Sequence, residues 1–231
     1  MIQAEITKII DDNMKARRSI RAFLPTEISE GVLVDLLDVA ARAPSGTNIQ
    51  PWQVYVVTGA KKQAITDDIM QAFKDPVAIK DHEEEYNYYP AKWVDPYISR
   101  RRKVGIDLYG LLGLGKDDKE KMQAQHARNY QFFDAPVGIF FTIDRVMQQG
   151  SWLDYGMFIQ NVMLAAKARG LDTCPQAAFT QFHKIIAKHL DLKPEQQVVC
   201  GMSLGFADHS KIENTLVTER EPAKNFTHFL K

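Results

Sequence analysis

The sequence predicts an α+β fold in which helices flank a central sheet, and three observations support this class. Segments with apolar residues at helical spacing alternate along the chain with short runs rich in β-branched and aromatic residues. One such run, residues 137–143, is continuously apolar, which is typical of a strand covered on both faces. Residues 152–166 are apolar on nearly every side, so we expect a helix buried by the sheet on one side and by another surface, such as a second subunit, on the other.

Composition indicates one ordinary globular domain. Hydrophobic residues make up 45% of the 231 and charged residues 25%, which is typical of soluble proteins. Since the chain has no internal repeat and no low-complexity linker, we expect a single domain over residues 1–231. Lys plus Arg and Asp plus Glu number 29 each, so the net charge is zero and does not attract nucleic acid or anionic lipid. Any anion site must be local.

The start of the chain and its cysteines predict a cytoplasmic protein with no membrane partner. The first residues become charged too early for a secretory signal, and no apolar run approaches the roughly 20 residues of a membrane span. Cys174 and Cys200 have neither CxxC nor zinc-like spacing. This favours buried thiols in a reducing compartment over a disulfide framework.

The first part of the chain predicts two helices, a shaped loop, a strand and a third helix. Ser29 is a start signal for the second helix. Two prolines and a glycine argue against a helix or strand between residues 43 and 52, and a strand at 53–57 and an amphipathic helix at 61–73 follow. The apolar residues at helical spacing in the first helix are Ile2, Ile6, Ile9 or Ile10, and Met14.

Residues 74–130 predict a helical, lid-like excursion over the main body. An acidic run at 83–85 is followed by tyrosines, Trp93 and a basic run at 100–103, with too few aliphatic residues for a separate core. The aromatic residues either wall a pocket or only pack down on the body. The charged runs pair either with each other or with a partner subunit.

The last part of the chain predicts the remainder of the core. Gly170 ends the apolar helix, as expected of a left-handed residue at a helix C-terminus. An extended piece at 171–179, a helix at about 180–190, a strand at 197–205 and a polar tail follow.

Three motifs that could carry chemistry fail on their context. Residues 201–205 match the G-x-S-x-G turn of serine hydrolases, but a turn-like segment follows Ser203 where that fold needs a helix, and too little chain remains for its acid and histidine. Residues 110–115 have the wrong glycine order for a dinucleotide site and no preceding strand. The six histidines lack metal-ligand spacing, and His183 and His189 are interpreted as surface residues. We therefore expect no metal site.

Three polar segments remain as candidates for a functional site. Arginines crowd residues 17–21 at the end of the first helix, and guanidinium groups suit a phosphate because they form bidentate, charge-assisted bonds. A solvated basic face is the alternative interpretation. The loop at 44–50 offers Ser, Thr, Asn and Gln side chains, and Cys174-Pro175-Gln176 follows the buried helix.

Together these segments resemble the FMN-dependent nitroreductase family. The pattern is R-x-S-x-R-x-F from Arg17, P-S-x-x-N-x-Q-P-W from Pro44, G-L-x-T-C-P-Q from Gly170 and a tail arginine, Arg220. The resemblance covers essentially the whole chain, and the four motifs occur in the family's order. The excursion at 74–130 resembles the lid region of a branch that reduces nitrobenzoate-like or dinitroaromatic compounds.

The resemblance implies a fold, an assembly and a reaction. The fold would be nitroreductase-like, with a central mixed, mostly antiparallel sheet flanked by helices, in an intertwined homodimer with FMN at the interface. FMN would be bound tightly but not covalently, and NAD(P)H would be the electron donor. A nitroaromatic compound, a quinone or another electron-poor substrate would take a hydride through flavin N5 in a ping-pong cycle. No protein side chain would be catalytic.

The resemblance also assigns residues to the cofactor and the substrate. Arg17, Ser19 and Arg220 would hold the phosphate and ribityl chain, and Arg21 would place a positive charge near the pyrimidine edge of the flavin. Tyr88, Trp93 and Tyr97 would contact the substrate. The residues that would contact FMN are, from one chain, Arg17, Arg18, Ser19, Arg21, Arg220 and the backbone of Pro175, Gln176, Ala177 and Ala178, and, from the partner chain, Pro44, Ser45, Asn48 and Gln50.

The sequence departs from the family pattern in two places. Thr218 stands where members often carry a second basic residue, which leaves the phosphate with fewer cations. Ala177 and Ala178 stand where others carry an acid and a glycine, which argues against a side-chain role at N5. A flavin or enone reductase and a reductive dehalogenase are alternatives on the same fold, and a flavin-binding protein without turnover is an alternative of another class.

Overall fold

A computed structural model describes all 231 residues of the protein, with seven α-helices and four strands. None of the helices combines the length and the apolar character needed to cross a membrane. The helices are α1 (Ile2–Ala16), α2 (Glu30–Ala40), α3 (Gly59–Lys74), α4 (Tyr97–Leu111), α5 (Lys119–Ala127), α6 (Gln149–Ala168) and α7 (His183–Leu190). The strands are β1 (Gln53–Thr58), β2 (Val137–Asp144), β3 (Asp172–Gln176) and β4 (Gln196–Gly205).

The four strands form one sheet in the order β1-β2-β4-β3, and every pair of neighbours is antiparallel. The one parallel pairing is an isolated bridge between Ser19 and Thr173. The predicted mixed, mostly antiparallel sheet is therefore confirmed. Only the last residue of β2 is not fully buried, as its unbroken apolar run predicts.

Each face of the sheet carries its own hydrophobic core, because successive residues of a strand point to opposite faces. On one face, Ile139 and Phe141 of β2 belong to the core formed with α2 and α6. On the other face, Phe140 belongs to the core formed with α3, α7 and the 3₁₀ segment Arg128–Asp134. The sheet is thus the middle layer of the molecule, with helical segments on both sides.

Helices α1 and α6 form as predicted, but much of their apolar surface is exposed. Tyr155 and Phe158 of α6 are buried, whereas Leu153 is 74% exposed. None of the residues of α1 is buried, and Ile2 is 76% exposed. The predicted apolar stripe of α1 therefore faces away from the chain's own core.

The helix expected at residues 180–190 is wrong in its first part. Ala177–Phe182 form a 3₁₀ segment, and α7 begins only at His183. The Thr180 hydroxyl donates to the Ala177 carbonyl at 2.8 Å, a local side-chain bond that competes with regular helix formation.

The excursion is tied to the body by its first segment and by α4. The Tyr86 hydroxyl donates to the Val199 carbonyl, and its ring packs edge-on against Trp152 with centroids 4.7 Å apart. The basic run of α4 contacts acids of the tail, since Arg100 lies 2.7 Å from Glu221. Within this chain, the basic run therefore pairs with the tail and not with the acidic run at 83–85.

Candidate functional site

A strongly basic cavity lies where the end of α1 meets the tail. Its volume is about 370 Å³, and no acidic side chain lines it. Arg17, Arg18, Ser19, Arg21 and Arg220 all line it, so the structure brings together the five side chains of one chain that are predicted to contact FMN. The other lining residues are Met14, Lys15, Leu216, Val217 and Thr218.

The backbone after α1 fixes the arginines beside β3. Arg17 is extended (φ −61°, ψ 130°), which ends the helix. Ser19 then pairs with Thr173, and the Ile20 amide donates to the Thr173 carbonyl at 3.0 Å. This short parallel contact places the basic cluster next to the Cys174-Pro175-Gln176 segment.

Asn214 joins the tail to the basic cluster and was missed by sequence reasoning. Its Oδ1 accepts from the Arg21 amide at 2.8 Å, and its Nδ2 donates to the carbonyls of Ala22 (2.8 Å) and Asp208 (2.9 Å). The side chain is 8% exposed. Nothing in the polar tail distinguishes this asparagine from its neighbours.

The cations of the cavity repel one another. Burial lowers the pKa of Arg17, and the nearby Arg220 guanidinium lowers it further. Lys15 adds a charge that the motif did not predict, so the cavity holds five cations although Thr218 is not basic. Such a cavity favours a multiply charged anion, because the anion relieves the repulsion between like charges.

Thr218 positions the tail arginine. Arg220 donates through Nη1 to the Thr218 hydroxyl at 2.7 Å, to the Thr218 carbonyl at 3.3 Å and to the Glu219 carbonyl at 2.8 Å. Its Nε and Nη2 atoms have no partner in the chain. Thr218, which stands where a second basic residue was expected, thus orients Arg220.

The Gln176 side chain is occupied by structural bonds, which leaves its backbone for a ligand. The side chain is 3% exposed, its Nε2 donates to the Asn129 carbonyl at 2.7 Å, and its Oε1 accepts from the Ser203 hydroxyl at 2.6 Å. Pro175, Ala177 and Ala178 are partly exposed around it.

The same bond accounts for the misleading G-x-S-x-G pattern. Ser203 lies inside β4 with its hydroxyl bonded to Gln176. A Cβ at Gly201 would meet the Phe179 ring, and a Cβ at Gly205 would lie 2.8 Å from Pro136. The two glycines are therefore required by close packing.

The loop expected to contact the cofactor lies away from the basic cavity. The Gly46 amide donates to Asp154 near the N-terminal end of α6 (3.0 Å), whereas Asn13 of α1 donates to the Leu164 carbonyl near the other end (3.1 Å). Residues 154 and 164 are separated along the helix axis by about 15 Å. The structure therefore does not bring Pro44, Ser45, Asn48 and Gln50 to the arginines of the same chain.

Local bonds and backbone conformation give this loop its shape. The Ser45 Oγ accepts from the Gln50 amide at 2.9 Å. Thr47, Asn48 and Gln50 have φ values of 48°, 61° and 52°, a left-handed conformation that non-glycine residues rarely adopt. Asn48 and Gln50 are exposed, so the loop presents their side chains outward.

The predicted substrate aromatics do not line the basic cavity. Tyr97 is 58% exposed, and Tyr88 and Trp93 belong to an aromatic stack with Tyr89. Instead, Arg100 and Lys103 of α4 line an adjoining cavity of about 590 Å³ that shares Thr218 and Arg220 with the basic one. The excursion thus borders the basic cavity through α4.

The histidines and cysteines have structural surroundings. His183 lies 3.6 Å from Glu85 and His189 lies 2.7 Å from Asp68, and both side chains are only 16% exposed, so their interpretation as surface residues is wrong. Burial raises the pKa of Cys174 to about 11 and that of Cys200 to about 12. Both thiols are protonated at neutral pH and are poor nucleophiles.

Comparisons with known proteins identify relatives over nearly the full chain. The model of the Nitroreductase family matches residues 14–206. A 4-nitrobenzoate reductase of Pseudomonas putida is 42% identical over 98% of both chains, and a nitrobenzene nitroreductase of Ectopseudomonas oleovorans is 39% identical over 96% of both.

Two solved structures share the fold. The FMN and NADPH-dependent nitroreductase NfnB of Sphigopyxis sp. strain HMH is 34% identical, with a TM-score of 0.92 over 96% of this chain and 99% of that chain. The FMN-dependent NfnB of Mycobacterium smegmatis, solved in complex with NADPH, is 26% identical, with a TM-score of 0.91 over 98% of this chain and 100% of that chain.

Proposed function

Because this chain belongs to the nitroreductase family, we propose that it is an NAD(P)H-dependent oxidoreductase that reduces nitroaromatic compounds with bound FMN. Relatives near 40% identity over almost the whole chain reduce nitrobenzoate and nitrobenzene, and structural neighbours depend on FMN. The observation in this chain that carries the proposal is the basic, acid-free cavity beside β3.

The residues present fit the phosphate end of FMN. Four arginines and Lys15, which also lies 3.3 Å from Asp11, form a donor set for a dianion in a cavity that no carboxylate lines. Arg220 keeps two donor nitrogens free of internal bonds. Arg17, Arg18, Ser19 and Arg220 would bind the phosphate and ribityl chain. The backbone of Pro175, Gln176, Ala177 and Ala178 would lie against the ring. This segment begins two residues after Thr173, which forms the bridge with Ser19.

Binding and electrostatics are the roles that this chain's side chains would supply. FMN bound there would supply the hydride-transfer chemistry between NAD(P)H and the nitroaromatic compound. Arg21, whose Nη1 donates to the Ser19 carbonyl at 3.2 Å, would hold a fixed positive charge near the pyrimidine edge and stabilise negative charge there. Tyr88, Trp93 and Tyr97 would contact the aromatic substrate.

A homodimer would complete the site. The loop at 44–50 lies about 15 Å along α6 from the contact of α1, and its polar side chains face outward. The exposed apolar surfaces of α1 and α6 are typical of a subunit interface. We therefore assign Pro44, Ser45, Asn48 and Gln50 to the flavin of the partner chain. Buried free thiols, which persist in reducing surroundings, support a cytoplasmic location.

Two half-reactions of the purified protein test the proposed activity. The purified protein should show the absorption spectrum of oxidised FMN. Under anaerobic conditions, NADPH or NADH should bleach this spectrum, and added 4-nitrobenzoate should restore it. A flavin that neither nucleotide bleaches would contradict an enzyme and support a flavin carrier. A flavin that is bleached but not restored by any nitroarene would support the flavin reductase alternative.

A further inference from the structure

The four consecutive cations of α4 differ in their surroundings. Arg100 and Lys103 each form ion pairs with nearby acids. Neither Arg101 nor Arg102 has a carboxylate oxygen within 4.0 Å. Two guanidinium groups on this helix are therefore free to bind an external anion.

Arg101 differs from Arg102 because it stacks on aromatic rings. Its Cζ lies 4.9 Å from the ring centroid of Trp93 and 5.4 Å from that of Tyr89. Tyr89 also packs edge-on against Tyr88, with centroids 4.7 Å apart. Stacking occupies the face of a guanidinium and leaves the N–H donors at its edge available. Since the rings hold the group in place, it loses less conformational freedom when it binds.

Arg101 packs on an aromatic residue that is proposed to contact the substrate. Arg100 and Lys103, on another face of the same helix, line the cavity of about 590 Å³ that shares Arg220 with the basic cavity, and Arg101 itself does not line it. Its aromatic contacts include Trp93, which is proposed above to contact the substrate. A planar aromatic acid that packs on these rings would bring its carboxylate to the guanidinium edge, where two parallel N–H···O bonds suit the geometry of both groups.

We propose that Arg101, held by Trp93 and Tyr89, binds the carboxylate of nitroaromatic acids and so favours the binding of nitrobenzoates over that of uncharged nitroarenes. This inference rests on the proposed function, because it specifies the substrate of the same site. An uncharged nitroarene has no group that Arg101 would bind.

Ligand binding without turnover tests the proposal. Benzoate and its neutral analogue benzamide are titrated into the FMN-loaded protein, and each Kd is read from the change in the flavin spectrum. Arg101→Ala should weaken benzoate binding about tenfold, equivalent to about 1.4 kcal/mol, and should leave benzamide within about twofold. Arg101→Lys should be intermediate, because lysine keeps the charge but loses the planar fork.

Arg102→Ala is the matched control, since it removes an equal charge from the next position without an aromatic contact. It should leave both Kd values unchanged. Equal weakening of benzoate and benzamide by Arg101→Ala would show that Arg101 only packs the excursion, and unchanged benzoate binding would show that it faces solvent. Either result overturns the proposal. An Arg102→Ala variant that loses as much benzoate affinity as Arg101→Ala would overturn it as well. Failure of NAD(P)H to bleach the flavin would contradict the proposed function separately, because these titrations need no turnover.

Discussion

The hydroxyl of Thr218 accepts a 2.7 Å hydrogen bond from Nη1 of Arg220 and so orients the tail arginine at the basic cavity. Thr218→Val keeps the shape of the side chain but removes the acceptor. We expect the Kd of the apoprotein for FMN to rise about threefold to tenfold, because one hydrogen bond contributes about 1 kcal/mol. Quenching of FMN fluorescence measures it.

Thr215→Val is the control for that substitution. The Thr215 hydroxyl donates to the Ile212 carbonyl and does not line the cavity. An equal loss of FMN affinity in both variants would mean that Thr218 acts through the stability of the tail and not through Arg220.

Arg17→Ala should weaken FMN binding by more than tenfold, because it removes a partly buried, charge-assisted partner of the phosphate. Riboflavin, which lacks the phosphate, should lose much less affinity. The ratio of the affinity for FMN to the affinity for riboflavin should also fall as the salt concentration rises, because salt screens the charges of the cavity. Titrations of both flavins measure these ratios, and equal losses for both would place Arg17 away from the phosphate.

Asn214→Ala should lower the free energy of unfolding by about 2–3 kcal/mol. The change removes three hydrogen bonds from a buried site and leaves the Arg21 amide and the Ala22 carbonyl without their partner. Chemical denaturation measures it. Asn225 is exposed in the tail, and its side-chain Nδ2 donates only to Glu221. Asn225→Ala should therefore change the free energy of unfolding by no more than about 0.5 kcal/mol. Similar effects of the two changes would refute a structural role for Asn214.

Acid should destabilise the fold because burial lowers the pKa of His82, His126 and His183 below the usual histidine value. A lowered folded-state pKa means that the unfolded chain binds protons first. The contribution of the three neutral histidines to the free energy of unfolding is fully present above the unfolded-state pKa of about 6.5. It is lost as the pH falls through the folded-state pKa values. The Tm should be lower at pH 5.5 than at pH 7.5, and less so in His126→Gln. A higher Tm at pH 5.5 would contradict this sign.

Sequence patterns predicted the elements whose signal lies within a few neighbouring residues. The local residue pattern predicts three of these features: the apolar strand β2, the apolar helix α6 and the left-handed Gly170 (φ 72°). The basic cluster and the tail arginine were predicted from the family pattern, and the structure brings them together in one cavity.

Features that depend on distant partners could not be predicted. The apolar stripe of α1 predicts that this face of the helix is covered. It does not indicate whether the chain's own core covers it, and in the structure the core does not. Lys15 and Asn214 act through contacts with residues far along the chain, or through a cavity that exists only after folding. The left-handed Thr47, Asn48 and Gln50 lack the glycine signature of such a conformation.

In the proposed homodimer, the basic cavity of one chain and the loop of its partner hold one FMN together. Mixing two defective chains tests this shared site most directly. One chain carries Arg17→Glu. The other carries Asn48→Gly and Gln50→Gly, which remove the loop side chains at left-handed positions where glycine is unstrained. Neither chain alone should retain FMN after dialysis.

The mixed dimer, purified through a different tag on each chain, should retain one FMN per dimer. It combines one intact cavity with one intact loop, and its second site carries both defects. A mixed dimer without FMN would contradict the shared site, because the cavity and the loop would then have to belong to the same chain.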